Sequence, residues 1–273
     1  MNAAVDSVLI NGSAADWLPV TDRGLNYGDG VFRTLRVARH EPVAWQAHMT
    51  RLRHDCERLL LPFPDATLLR TEARHLFRQR AQGVLKIVIT RGSGGRGYAP
   101  AGADTPRRIL SAHALPEPVE QLQLMPAAVR LARQPALAGV KHLNRLEQVL
   151  ARQECAQRGV ADALMLDSAG FVIATTMRNL LLRIDGRWLT PALTQAGVAG
   201  ATRARIMGAL AGSNSAVRTM ELTLDACRHA DAAIACNSVG GAVPVTRLAD
   251  RYLPYSFAMA ARCRRLLAAT AGE

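Results

Sequence analysis

The sequence predicts an α+β fold in two domains, and three observations carry that reading. Strand-like runs of alternating side chains are interspersed with amphipathic runs of helical period. A β meander, ADALMLDSAGFVIATTMRNLLLRIDGRWLTP, occupies the second half, with turns at Asp167–Gly170 and Asp185–Gly186. Between the halves, Ala114–Leu124 (ALPEPVEQLQL) sets two prolines and two glutamates between strand-like runs and reads as a linker. A chain of 273 residues has material for two modest cores. The expected division is a smaller domain over 1–115, a linker over 116–123 and a larger domain over 124–273.

Val8–Gly12 reads as a strand entering a turn. The stretch from Asp22 to Gly30 is crowded with turn formers: Asp22, Gly24, Asn26, Gly28, Asp29 and Gly30. VFRTLRV then alternates, with Val31, Arg33, Leu35 and Val37 on one face and Phe32, Thr34 and Arg36 on the other. A strand offering Thr34 and Arg36 together can hold a carboxylate; an ordinary half-buried strand would simply solvate them. Ala47–Leu61 reads as a helix with Met49, Leu52, Cys56, Leu59 and Leu60 as its apolar stripe and Arg51 off it. A second helix is expected over Ala66–Arg80. GVLKIVIT is a strand that breaks into RGSGGRGY, whose glycines let the backbone approach a ligand or flex. There Arg91 and Arg96 supply cations and Tyr98 a ring with a donor. The loop has neither GxxxxGK[ST] nor GxGxxG spacing, so it is either another kind of anion cradle or a plain loop. Arg107–Leu115 reads as a further strand.

In the second half, LMPAAVRLA is a strand, PALAGVK a loop, and a helix runs from Leu143 to about Gln157. Gly197–Leu210 is a glycine loop followed by a helix with Thr202 as a cap. The amides of Ala201 and Thr202 at such a start suit a phosphate. Ser213–Asp225 contains a strand such as AVRTME. His229–Val245 is a strand, a polar glycine turn and a strand, where Asn237 and Ser238 can donate to the same phosphate. RYLPYSFAMAARCRRLLAA closes the chain as a helix.

Composition narrows the function. No apolar run approaches the roughly 20 residues that span a bilayer, and the first sixteen residues lack a basic segment followed by an apolar core. The five cysteines are odd in number, scattered, and never form CxxC. They read as reduced thiols of a cytoplasmic protein, with no disulfide frame and no metal site. A net charge of +12 invites nucleic acid, but the arginines are dispersed and aromatics are only 4%, too few for a stacking platform. No nucleic-acid and no membrane partner is expected; the positive surface would draw anionic small molecules.

One feature of that charge is chemical. Against 32 arginines the chain has two lysines, Lys86 and Lys141. A guanidinium stays protonated, so amine nucleophile chemistry falls to one of the two. Lys86 lies in the VLKIVIT strand. Lys141 precedes GVKHLNRLEQVL's amphipathic run, with Leu143, Leu146, Val149 and Leu150 near helical spacing. A helix mouth and partial burial both favour the neutral amine. The plainer alternative is a surface lysine ahead of a helix.

Taken together, GVLKIVITRGSGGRGY, LAGVKHLNRLEQVLARQE, NYGDGVFRTLRV, HMTRLRHDCERL, QAGVAGATR and CNSVGGAVPV resemble the fold-type IV pyridoxal-phosphate enzymes, the family of branched-chain and D-amino acid aminotransferases. The first two resemble its lyase members more than its transaminases. The resemblance runs from about Leu9 to Val245. It implies a small N-terminal α/β sandwich domain, a larger C-terminal pseudo-barrel domain, and pyridoxal 5'-phosphate held where the two meet in a homodimer. It implies that Lys141 forms the Schiff base and then carries the proton. Arg51 would reach the cofactor phosphate, with the Ala201 and Thr202 amides, Asn237 and Ser238. Thr34, Arg36, Arg96 and Tyr98 would face a small-molecule substrate with two carboxylates, which suit arginine forks.

The chain departs from the family at one position. The family's pattern places a glutamate, against the pyridine nitrogen, where GFVIATTMRN has Ala174, and no acid occurs between Asp167 and Asp185. Such a carboxylate keeps the ring nitrogen protonated and the ring a strong electron sink. Thr175 or Thr176 is the expected neutral substitute. A weakened sink should harm amino transfer more than an elimination driven by aromatisation. Amino transfer by the same fold, and a catalytically silent cofactor binder, remain the alternatives.

Overall fold

Local chemistry sets the first hairpin. Strand β1 (Ser7–Ile10) turns through Asn11 and Gly12, both at positive φ, into β2 (Ser13–Ala14), the Asn-Gly signature of a tight hairpin. The computed structural model describes residues 7–100 and 105–270; the reading of residues 1–6, which entered the leader argument, lies outside them. The chain divides into two units. One runs to Glu117 and takes back Val140–Asn144; the other holds Pro118–Gly139 and the residues from Arg145 onward.

The first unit continues with α1 (Arg23–Tyr27), β3 (Gly30–Ala38), β4 (Glu41–Pro42), α2 (Trp45–Arg58), α3 (Ala66–Leu76), β5 (Gln82–Thr90) and β6 (Arg107–His113). Its six strands form one antiparallel sheet in the order β2-β1-β6-β5-β3-β4. Alternation decides the faces: Val31, Leu35 and Val37 of β3 and Leu85, Ile87 and Ile89 of β5 are buried against Met49, Leu52 and Cys56 of α2 and Leu69 of α3. Three expectations need correction here. The turn formers Asp22–Gly28 build the short helix α1, because Asp22 caps its first amides and Gly28 ends it at φ 66. Helix α2 stops at Arg58, and Leu60, at φ 52, is 85% exposed instead of joining the stripe. Helix α3 ends at Leu76, four residues before the expected Arg80, with the Phe77 side chain drawn into the core.

The second unit comprises β7 (Leu122–Leu124), β8 (Pro126–Leu131), α4 (Leu146–Gln157), β9 (Leu164–Asp167), β10 (Val172–Thr175), β11 (Asn179–Ile184), β12 (Arg187–Pro191), α5 (Ala201–Leu210), β13 (Arg218–Met220), α6 (Leu224–Arg228), β14 (Ala230–Asn237), β15 (Gly241–Leu248), β16 (Arg251–Tyr252) and α7 (Ser256–Ala269). Leu122–Leu124, inside the Pro/Glu-rich stretch, pairs with β15 as a strand. The described strands form a seven-stranded sheet, β13-β12-β11-β14-β15-β16 with β7 on β15, and a three-stranded sheet, β10-β9-β8. Both are open, so the pseudo-barrel is not closed. In the turn between β10 and β11 the Thr176 amide donates to the Asp162 carboxylate at 3.1 Å.

Helix α4 corrects the helical pattern after Lys141. It begins at Leu146, and Leu146, Val149 and Leu150 are 77%, 49% and 51% exposed. Its inner face is Ala151 and Cys155, packed on Ala127 and Leu131 of β8. Glu147 and Glu154 on the same side accept the edge amides of Ala132 (2.7 Å) and Ala128 (2.8 Å), so two carboxylates finish the β8 edge that no strand covers.

All five cysteines are buried free thiols. Burial pushes Cys56, Cys227, Cys236 and Cys263 up to about 12, which leaves them packing residues.

Candidate active site

In the first unit, Lys141 is held by its backbone on the free edge of β3. The Phe32 amide donates to the Lys141 carbonyl at 2.9 Å, Val31 bridges His142, and the Leu143 amide donates to the Gly30 carbonyl at 3.0 Å. The Lys141 amide donates to Asp55 Oδ2 at 3.1 Å. Its half-buried side chain carries Nζ to 4.2 Å from the centre of the Phe32 ring. This overturns the helix-mouth argument. Lys141 lies five residues before α4 begins, and a helix end acts over its last turn only.

Strand alternation puts Thr34 and Arg36 on the face that carries Phe32. Lys86 stands directly opposite Thr34 in the β3–β5 register. Its Nζ is 5.7 Å from the same Phe32 ring. Both lysines of the chain therefore approach one aromatic ring. Thr34 is half-buried and Arg36 exposed. Among the described residues Arg51, also half-buried, has no hydrogen bond or ion pair through its guanidinium. That is a standing positive charge on α2.

Two residues of this unit escaped the sequence reading. Arg33 and Asp55 are 2% and 0% exposed and form a buried ion pair. Burial lowers the Arg33 pKa, the Asp55 carboxylate opposes it, and the Arg51 charge adds to the lowering. A signal existed. Arg33 falls on the apolar face of its strand, and Asp55 falls three residues after Leu52 on the apolar side of its helix. Two opposite charges on two core faces imply a pair.

The glycine-rich loop is tied down. Arg23, 3% exposed, donates to the carbonyls of Gly97, Tyr98 and Ala99 at 3.1, 2.8 and 3.3 Å. Arg91 is committed to Asp29 (2.8 Å) and to the Leu59 and Leu60 carbonyls, so it is not a spare cation. Burial raises the Asp29 carboxyl pKa, but Arg91 and Arg23 outweigh it and hold the group below its ordinary value. Arg96 and Tyr98 are exposed, the Tyr98 ring edge-on to Tyr27 at 5.6 Å.

In the second unit, α5 begins at Ala201 with Gly200, not Thr202, at its N-cap position, and no side chain caps it. The Ala201 and Thr202 amides therefore keep the free donors of a helix start. Thr202 is buried, and its Oγ1 donates to Ser238 Oγ at 3.4 Å. The loop before α5 is held by Asn179, another residue the sequence reading missed. Asn179 Nδ2 donates to the Val198 carbonyl at 2.8 Å, and its Oδ1 accepts the Gly200 amide at 3.1 Å. A Cβ on Gly200 would collide with that oxygen. Asn237 is less free than expected. Its Oδ1 closes the hairpin on the Val239 and Gly240 amides, and its Nδ2 reaches the Met177 carbonyl at 3.4 Å.

Ala174 is half-buried in β10, opposite Met165. Thr175 does not replace the missing acid. Its Oγ1 gives its hydrogen to Asp162 Oδ2 at 2.8 Å and accepts the Arg178 amide at 3.0 Å. Thr176 Oγ1 is likewise spent on Asp162 Oδ1 at 2.5 Å. Asp162 itself is fully buried and receives those hydroxyls, the Ala163 and Thr176 amides and Arg178 Nη1. A carboxylate has about four lone-pair positions, so none is left over.

The second unit thus offers an uncapped helix start with adjoining hydroxyls, and the first a pinned lysine beside an aromatic ring. The chain belongs to the amino-transferase class IV family, whose model matches residues 30–248. It is 36% identical over 263 residues to an aminodeoxychorismate lyase of Vibrio harveyi, covering 94% of this chain and 97% of the relative. The crystal structure of 4-amino-4-deoxychorismate lyase from Pseudomonas aeruginosa superposes with a TM-score of 0.88 at 38% identity, covering 95% of this chain and 97% of that one. A D-alanine aminotransferase of Bacillus licheniformis is 23% identical over 234 residues, 84% of this chain and 82% of the relative.

Proposed function

We propose that this chain is an aminodeoxychorismate lyase, which converts 4-amino-4-deoxychorismate to 4-aminobenzoate and pyruvate with pyridoxal 5'-phosphate, on the route to folate. The observation that carries the reading is likeness over nearly the whole chain, at 36% and 38% identity, to two lyases, against 27% to a putative branched-chain-amino-acid aminotransferase and 23% to a D-alanine aminotransferase.

The donor set fits the cofactor at two ends. Arg51, the amides of Ala201 and Thr202, and Ser238 suit the phosphate, with the remaining Asn237 N–H as a weaker helper. Lys141 suits the aldehyde. At the ring nitrogen no acid is offered. Bound pyridoxal phosphate supplies an aldehyde that takes amines covalently and a ring that draws electrons from the attached carbon. Lys141 Nζ would hold that aldehyde and would serve as the base for the C4 proton of the substrate. The C–O bond to the enolpyruvyl group breaks, the carbocycle becomes aromatic, and the departing enolpyruvate takes a proton to become pyruvate. Arg36, Lys86 and Arg96 are the cations for the two substrate carboxylates, with Thr34 and Tyr98 as hydroxyl donors. Aromatisation supplies driving force that amino transfer lacks, which is why Ala174 is compatible with the lyase.

The test is pyruvate release from aminodeoxychorismate by the wild type with no keto acid present. Pyruvate at stoichiometry with 4-aminobenzoate is expected. A protein that binds the cofactor yet needs 2-oxoglutarate for turnover is an aminotransferase, and one that turns over neither is a silent binder. The electron sink has its own test. Ala174→Glu should shift the absorbance of the bound cofactor and raise side transamination by about tenfold; unchanged spectra and unchanged amino transfer would sink the weakened-sink account. A cytoplasmic homodimer belongs to the same proposal, supported by the apolar row Leu146, Val149 and Leu150 exposed on α4; light scattering at a single chain mass would remove it.

A further inference from the structure

We propose that Asp55, locked by Arg33, is the positioning residue that sets Lys141 for its covalent work, an inference that rests on the role given to Lys141 above. Lys141 sits on a segment only three residues deep on the β3 edge. Its carbonyl is held by the Phe32 amide, and its own amide by a side chain from helix α2. That amide is taken by Asp55 Oδ2, across 86 residues of sequence. The carboxylate is aimed for this purpose: one oxygen serves both the Lys141 amide and Arg33 Nη2, while Oδ1 is buried without a hydrogen bond. Arg33 is fixed in turn by donating to the Arg51 carbonyl at 3.0 Å.

Stability alone does not call for such a pair. A buried ion pair is costly to desolvate, and apolar residues of similar volume serve a core as well or better. What an apolar pair cannot do is accept the Lys141 N–H. Fixing that N–H and the neighbouring carbonyl fixes the Lys141 Cα–Cβ direction, and with it the start of the path Nζ follows over Phe32. A reactive group held in one geometry reacts faster than one that must find it.

Two double variants isolate the acceptor. Arg33→Met/Asp55→Asn and Arg33→Met/Asp55→Leu both remove the buried charges, and only the first keeps an oxygen for the Lys141 amide. The rate of covalent attachment of Lys141 to added pyridoxal phosphate is read by absorbance and by borohydride reduction with peptide mass. The asparagine variant should attach at close to the wild-type rate and the leucine variant about tenfold slower, with kcat falling and KM holding. Equal rates in the two would overturn the proposal. Hydrogen exchange on the wild-type holoenzyme needs no variant: the Lys141 amide should exchange as slowly as those of Phe32 and Leu143, and exchange at an open-loop rate would also overturn it. If wild type released no pyruvate while the amide stayed protected and the two doubles differed, the positioning role would stand and the lyase reading alone would fall.

Discussion

Lys141→Ala should lower pyruvate release by at least about a thousandfold, the combined loss of a covalent attachment point and of the group that moves the C4 proton. The variant should still bind pyridoxal phosphate, because Arg51, the α5 amides and Ser238, the groups we propose for its phosphate, are untouched. Its absorbance should be that of the unattached aldehyde. Lys86 makes this a sharper experiment than a plain knockout. Both lysines reach the Phe32 ring, at 4.2 Å for Lys141 and 5.7 Å for Lys86. Since the chain has no third lysine, borohydride reduction followed by peptide mapping has two lysines to choose between. The label belongs on the peptide containing Lys141. A label on Lys86 in the wild type, or full turnover by Lys141→Ala, would reassign the chemistry.

Much of the scaffold around that lysine was legible. Period-two alternation gave β3 its faces, and the core took Val31, Leu35 and Val37 as expected. The failures share a cause: the same residue types serve different structures. Asp22 and Gly28 are turn formers, and they are also a helix cap and a left-handed stop, so α1 was invisible in composition. Leu146, Val149 and Leu150 have helical spacing, yet α4 presents Ala151 and Cys155 inward. The strand edge it covers is β8, where small side chains allow close approach and two glutamates supply acceptors. Leucine content pointed to the wrong side of a correctly placed helix.

Rarity singles out candidates for the chemistry, but the contacts that hold them depend on partners distant in sequence. Two lysines in 273 residues single themselves out. Nothing in the sequence around Lys141 says that its amide is held from residue 55, or that its carbonyl is held from residue 32. The same holds for Thr175 and Thr176. Read locally they are spare hydroxyls beside Ala174. Only the fold brings in Asp162, thirteen residues earlier, and uses both.

That buried carboxylate carries the second large effect. Asp162→Ala removes the acid paired with Arg178, whose side chain is 8% exposed, and strands the donors of Thr175, Thr176 and Ala163. Breaking a buried pair from one side costs roughly 3–5 kcal/mol. For a chain of this size that is a fall in melting temperature of about 10 °C. The damage should also reach the start of α5, which we propose to hold the phosphate. The Asp162 cluster fixes Thr175–Arg178, the next residue is Asn179, and Asn179 holds Val198 and Gly200 ahead of α5. Cofactor affinity should therefore weaken beyond what lost stability explains, measured by titration well below the melting temperature. Asp162→Leu/Arg178→Met separates the two effects, because it removes the stranded charge but leaves the turn without its acceptor. It should melt above Asp162→Ala while binding the cofactor no better. A double variant that recovers both properties would mean that the cluster contributes charge balance alone, and that Asn179 holds the loop before α5 without its help.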